Sequence, residues 1–107
     1  MSFKTIKTEK KKNIGYIFLN RPSVLNAINE VLLNEVIEAV DVFEADQDVR
    51  VLIVKSLCEK AFSAGIDVEY VKDISPFGIR DVGRLLHKCF GRLRRCDKPI
   101  IACIDGL

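Results

Sequence analysis

The chain has 107 residues, of which 49% are hydrophobic and 30% charged, a balance that suits one domain and excludes a disordered tail. Seventeen basic residues against fifteen acidic ones leave a net charge of +2, too even to imply a nucleic-acid partner. No apolar run approaches the ~18 residues of a membrane span, and Met1-Ser2-Phe3-Lys4 lacks the apolar stretch of a secretory signal, so no membrane is expected and the location is expected to be cytoplasmic.

Phe3, Thr5 and Lys7 alternate with Lys4, Ile6 and Thr8, which predicts a first strand. Glu9-Lys10-Lys11-Lys12-Asn13 reads as a turn with a solvated, lysine-rich tip rather than a phosphate patch. Ile14–Leu19, rich in β-branched and aromatic side chains, predicts a second strand. Asn20-Arg21-Pro22-Ser23 ends it, because proline cannot donate to a ladder. A helix is predicted over Glu30–Ala45, capped by Asn29, with Leu33, Val36, Ile37, Val40 and Phe43 on one face. It ends near Asp46-Gln47-Asp48. Val51-Leu52-Ile53-Val54 is a short continuous apolar run, the pattern of a strand buried on both faces.

A loop follows, then one or two helical turns over residues 68–72. Ser75-Pro76-Phe77-Gly78 reads as a break, and a second long helix is predicted over residues 79–93. Its apolar positions are Val82, Leu85, Leu86, Cys89, Phe90 and Leu93, and Gly83 and Gly91 either weaken it or admit a close neighbour. Pro99-Ile100-Ile101-Ala102-Cys103-Ile104 reads as a further buried strand. Arg80, Arg84, Lys88, Arg92 and Arg95 form a basic stripe on the second helix, read as a solvated face rather than a nucleic-acid surface.

Cys58, Cys89, Cys96 and Cys103 contain no closely spaced pair, and His87 is the only histidine. No metal site is expected, and the cysteines read as small core residues. The segment Ala61-Phe62-Ser63-Ala64-Gly65-Ile66-Asp67 lies between a buried strand and a short helix. Small residues there let a ligand approach the backbone, and the helix start offers free N–H groups. Two readings fit: an anion or oxyanion site, or an ordinary turn. Asp67 likewise fits a helix cap better than a proton-transfer acid. His87 fits an exposed helix histidine better than a catalytic one.

Three segments together carry a resemblance. Asn20-Arg21-Pro22-Ser23-Val24-Leu25-Asn26-Ala27 resembles the N-R-P-x-x-x-N-A signature of the crotonase (enoyl-CoA hydratase/isomerase) superfamily. Ala61-Phe62-Ser63-Ala64-Gly65-Ile66-Asp67 resembles its A-F-x-A-G-x-D motif, and Lys98-Pro99-Ile100-Ile101-Ala102-Cys103-Ile104-Asp105-Gly106 its K-P-x-I-A-x-x-x-G stretch. The resemblance spans essentially the whole chain, in the same order and spacing. It implies an α/β fold built as a spiral of strand-strand-helix turns, with residues 1–107 as the N-terminal part of such a domain.

The resemblance also implies a chemistry. The substrate would be an acyl-CoA or enoyl-CoA thioester, and the reaction hydration of an enoyl-CoA or a shift of its double bond. The backbone N–H of Ile66 would be half of the oxyanion hole that holds the developing enolate. Ser23, Val24, Leu25 and Ala27 match the stretch along the CoA, and Ala64, Gly65, Asp67 and Val68 complete the substrate-binding set around Ile66. Where relatives carry a basic residue beside the CoA phosphates, this chain has Glu69 and Tyr70, with Lys72 further on. No cofactor is implied, because CoA is part of the substrate. A homo-oligomer, a trimer or hexamer in the family, is implied as well. The second oxyanion donor and the usual glutamates of the family lie beyond the position of Leu107. The expectation is therefore a fragment of a longer protein that is inactive alone. The rival reading is a non-catalytic acyl-CoA- or protein-binding piece that assembles with other chains.

Overall fold

The computed structural model describes residues 2–104. Four strands, β1 (Ile6–Lys11), β2 (Ile14–Leu19), β3 (Val51–Ser56) and β4 (Ile100–Ala102), form one sheet in chain order. β1 and β2 make an antiparallel hairpin, while β2–β3 and β3–β4 are parallel. The parallel pairs need crossovers. The first is helix α1 (Glu30–Ala45), and the second carries α2 (Val68–Val71) and α3 (Pro76–Arg94).

The hairpin is tighter than the sequence suggests. Glu9, Lys10 and Lys11 stay in the ladder, paired with Tyr16, Gly15 and Ile14, so the turn is Lys12-Asn13 alone. Lys12 takes a positive φ of 55° there, which two-residue hairpin turns demand at their first central position. Lysines on a solvated edge strand are compatible with pairing, and three in a row hid the strand.

α1 forms where the periodicity places it. The Asn29 side chain accepts from the N–H of Leu32 at 2.9 Å, an N-cap. Leu32, Leu33, Val36, Ala39, Val40 and Phe43 are buried against the sheet face that carries Ile6, Ile17, Leu19 and Leu52. Each such buried Leu, Val or Phe contributes ~1.5–3 kcal/mol. At Gly15 a Cβ would lie 2.7 Å from the Phe43 ring, so glycine is what lets the helix seat there.

The opposite sheet face is less covered, which corrects the expectation of a doubly buried β3. Leu52 is fully buried and Val54 packs beside it against the core, but Val51 and Ile53 on the other face are half-buried, and Ile101 of β4, opposite Ile53, is exposed. On the uncovered side of β2, Tyr16 and Phe18 stack with ring centroids 5.6 Å apart.

α3 begins earlier than the sequence suggests. The predicted break is its N-terminus: the Ser75 hydroxyl accepts from the N–H of Gly78 at 3.1 Å, and Pro76 takes the first helical position, where its missing N–H costs nothing. Val82, Cys89 and Gly91 are buried, whereas Phe90 is exposed. Neither helical glycine makes room for a neighbouring element: Gly83 faces open space, and Gly91 is close to Arg95 of its own chain end.

The basic stripe is not uniformly solvated. Arg92 turns toward α1, its Nε 2.6 Å from Asp41 and its guanidinium forked onto Glu44 at 2.7 and 3.3 Å. This charged clamp holds Glu44 down to about pH 2, through the Arg92 hydrogen bonds first and the Asp97 backbone second. Arg80, Arg84, Lys88 and Arg95 remain exposed. Lys98, just before β4, donates to the carbonyls of Phe43 and Asp46 at 2.8 and 2.6 Å and so closes the end of α1. Of the cysteines, Cys58 and Cys89 are core residues, and burial pushes the Cys89 thiol up to about 11. Cys96 is half-buried and packs against the core, whereas Cys103 is exposed and does not join it as expected.

Candidate active site

Two loops meet beyond the carboxyl ends of β2 and β3, the end of a parallel sheet where ligands bind. The first, residues 20–29, opens with a single 3-10 turn, Pro22–Val24. Leu25 and Asn26 then both take positive φ, 54° and 56°. The second, residues 57–67, ends at the cap of α2. The loops are fastened along their length. Ala64 N–H donates to the Leu25 carbonyl at 2.9 Å, and the Ser63 hydroxyl to the Asn26 carbonyl at 2.8 Å. Ile28 N–H donates to Gly65 at 2.8 Å, and Asp67 N–H to Ile28 at 2.8 Å. The result is a one-residue parallel bridge between Ile28 and Ile66.

That bridge orients Ile66. In a parallel bridge the neighbours of the central residue make both bonds to the opposite chain, here the Gly65 carbonyl and the Asp67 N–H. The N–H and carbonyl of Ile66 itself therefore face the other way. Among the described residues the Ile66 N–H meets no acceptor and the Ala64 carbonyl meets no donor. Gly65, at φ 93°, supplies the backbone turn that L side chains resist.

Asp67 has two structural partners. Its Oδ1 accepts from the N–H of Glu69 at 2.9 Å, capping α2. Its Oδ2 lies 3.1 Å from the Arg21 guanidinium, both side chains being largely buried. Arg21 also donates to the Ala27 carbonyl. Ala27 is itself buried, so it anchors the loop rather than lining an opening. Ser23, Val24, Ala64 and Val68 are exposed around this junction, and Leu25 is half-buried. Lys72 pairs with Glu69 at 3.1 Å on the surface of α2. His87 is exposed on α3, away from both loops in sequence and in element.

Beside the second loop is an apolar cleft of about 250 Å³ whose walls include Leu19, Ile28, Val54, Phe62, Phe90 and Ala102. Its lining is almost wholly hydrocarbon, with Ser63 at one margin. Among the described residues, no three His, Cys, Asp or Glu side chains are grouped to hold a metal ion, and no helix is long and apolar enough to cross a membrane.

Three residues of this junction were given no individual role by sequence reasoning: Arg21 and Asn26, which appear there only as letters of a signature, and Ser56. The asparagine carried a signal, since a polar residue flanked by Leu25 and Ala27 ahead of an apolar helix is out of place unless something buries and satisfies it.

Residues 9–107 match the enoyl-CoA hydratase/isomerase family. The chain belongs to that family. It is 32% identical over 106 residues to a crotonyl-CoA hydratase of Syntrophomonas wolfei, covering 99% of this chain and 41% of that one. A short-chain-enoyl-CoA hydratase of Clostridium acetobutylicum is 33% identical with the same coverage, 99% and 41%. The crystal structure of an enoyl-CoA hydratase/isomerase from Xanthobacter autotrophicus superposes with a TM-score of 0.90 at 30% identity, over 98% of this chain and 40% of that one. The chain thus spans about two fifths of the length of these relatives, and the strand-strand-helix arrangement is that of the crotonase fold.

Proposed function

We propose that this chain serves an enzyme acting on an acyl-CoA thioester, by hydration of an enoyl-CoA or movement of its double bond. The observation that carries the reading is the N–H of Ile66. It is the outward-facing donor in a loop whose neighbouring groups are hydrogen-bonded. A thioester oxygen placed against it would be polarised, and the enolate formed next to the carbonyl would be held by a dipole already in position. Ala64 and Gly65 keep the approach open, and Ser23, Val24, Leu25 and Val68 border the path of the CoA, with Ala27 and Asp67 holding that border in place. The apolar cleft beside Phe62 takes the acyl chain. CoA enters as part of the substrate, with no further cofactor. The reading includes self-association, since Phe77, Ile79, Phe90, Ile101 and Ile104 expose apolar surface, and a cytoplasmic setting.

The test uses crotonyl-CoA carrying ¹³C at its thioester carbonyl. Bound to the chain, its carbonyl stretch, isolated by isotope-edited infrared spectroscopy, is expected at lower frequency than in solution. Ile66→Ala should retain that shift, because the donor is backbone. Ile66→Pro, which has no N–H, should abolish it, and in an assembly that turns over it should lower the rate ~10²-fold or more. The 107-residue chain by itself should show no loss of the conjugated thioester absorbance above buffer, since the carboxylates that move protons in the family are not among its matched motifs. A carbonyl shift that survives Ile66→Pro would remove the basis of the proposal.

A further inference from the structure

Asn26 has no exposed surface, yet it is polar and sits in the left-handed region at φ 56°, directly after Leu25 at φ 54°. Two successive non-glycine residues in that region are uncommon, and for leucine the conformation is unfavourable. Such strain persists where the surroundings over-determine it, and it gathers at functional sites.

The surroundings do over-determine it. The Asn26 side-chain oxygen accepts from the N–H of Arg21 at 2.7 Å. Its amide nitrogen donates to the Ser56 hydroxyl at 2.6 Å and to the Phe62 carbonyl at 2.9 Å. Its backbone N–H donates to the Arg21 carbonyl at 2.9 Å, and its backbone carbonyl accepts from Ser63. One side chain therefore ties together the start of the first loop, the end of β3 and the middle of the second loop. Ser56 extends the tie by donating to the Ala61 carbonyl at 2.8 Å and accepting from the N–H of Cys58. An amide suits this place because it offers an acceptor and two donors on a short stem and tolerates the left-handed backbone.

We infer that Asn26 is a positioning residue for the Ile66 N–H. The inference rests on the proposed role of Ile66 and adds to it the group that aims the donor. Asn26 fixes Phe62 and Ser63, and two residues later Ile28 forms the bridge on which Ile66 is turned outward. Loosening that hub leaves Ile66 its N–H but not its direction. A displacement of ~1 Å at a reacting centre costs on the order of 10²-fold in rate.

The same labelled crotonyl-CoA tests it on the full chain, with affinity and carbonyl frequency read in one sample. Asn26→Gly accepts the positive φ without strain, keeps the backbone bonds to Arg21 and Ser63, and removes the three side-chain bonds to Arg21, Ser56 and Phe62. It is expected to bind crotonyl-CoA within about threefold of the parent while the carbonyl band returns most of the way to its solution position, a split that general loss of structure would not produce. Should Asn26→Gly fail to fold, Ser56→Ala removes one partner of the hub in a residue off the loops, and a partial return of the band at unchanged affinity supports the inference. A folded variant of either kind with the parent's band position overturns it. A parent band that Ile66→Pro leaves unmoved overturns instead the role of Ile66, and this inference with it.

Discussion

The two crossovers do the same topological work, each returning the chain to a parallel neighbour, and they are built differently. The first is one helix lying on the sheet, with six residues of α1 buried. The second is a loop, a single helical turn and a 19-residue helix of which three residues are buried. α3 packs on α1 rather than on the sheet, leaving Phe77, Ile79 and Phe90 exposed. The difference separates two duties. The first crossover supplies the apolar burial that holds the domain. The second carries the outward-facing Ile66 N–H on which the proposed function rests, and segments that bind ligands belong to the less buried part of a fold.

If that division is right, substitutions of like chemistry in the two crossovers will have unlike costs. Phe43→Ala, in α1, should destabilise the chain by ~3–5 kcal/mol in denaturant unfolding, enough to unfold much of the population. Gly15→Ala should cost ~1–3 kcal/mol through overpacking against the Phe43 ring. Most of that cost should disappear when Phe43 is also shortened to leucine, a coupling that a double-mutant cycle measures. Additive costs would mean the glycine is not the seat of the helix.

The link between the crossovers should respond to acid. Glu44 is held at about 2 against an ordinary 4.5 by the Arg92 fork. A carboxyl whose folded value is depressed contributes fully above its ordinary value and loses that contribution as pH falls toward the folded one. The Tm of Glu44→Gln should therefore lie below that of the parent at pH 7, and the gap should close between pH 4.5 and 2. A gap independent of pH would assign the effect to packing rather than charge. The smallest effect is expected at Phe90→Ala, below ~1 kcal/mol, because the ring is half in solvent. A cost matching that of Phe43→Ala would collapse the distinction between the crossovers.

What was legible in the sequence follows the same division. The bounds of β2 and α1 were readable because local signals agree with the fold: β-branched and aromatic side chains over Ile14–Leu19, ended by Asn20-Arg21-Pro22, and Asn29 ahead of a 3.6-residue apolar repeat. The start of α3 was not, because Ser-Pro is at once a turn signal and a cap followed by a favoured first helical residue, and the choice depends on what comes after. Arg92 was misread as solvated since the stripe it belongs to is real, while its acidic partners stand 48 and 51 residues earlier in the chain. At the candidate site, motif resemblance led to Ile66 and Asp67. It included Asn26 as a letter of a signature but gave it no role, because its importance lies in three bonds between segments 5 to 36 residues apart.

The Lys98 ammonium has a consequence in time. Two carbonyls at the end of α1, on Phe43 and Asp46, accept local N–H groups and gain a second, charged donor from a lysine 55 and 52 residues further along the chain. At a synthesis rate of ~5–20 residues per second, Lys98 is made roughly 3–10 s after the helix it closes. During that interval the hairpin, α1 and β3 can pair through their own contacts, while the Phe43 and Asp46 carbonyls have only the local N–H groups of Asp46 and Val49, at 3.3 and 3.1 Å, and water. Until then the first crossover lies on a three-stranded sheet with a weakly closed helix end, and the arrival of Lys98 and β4 tightens that end and adds the fourth strand in a single event.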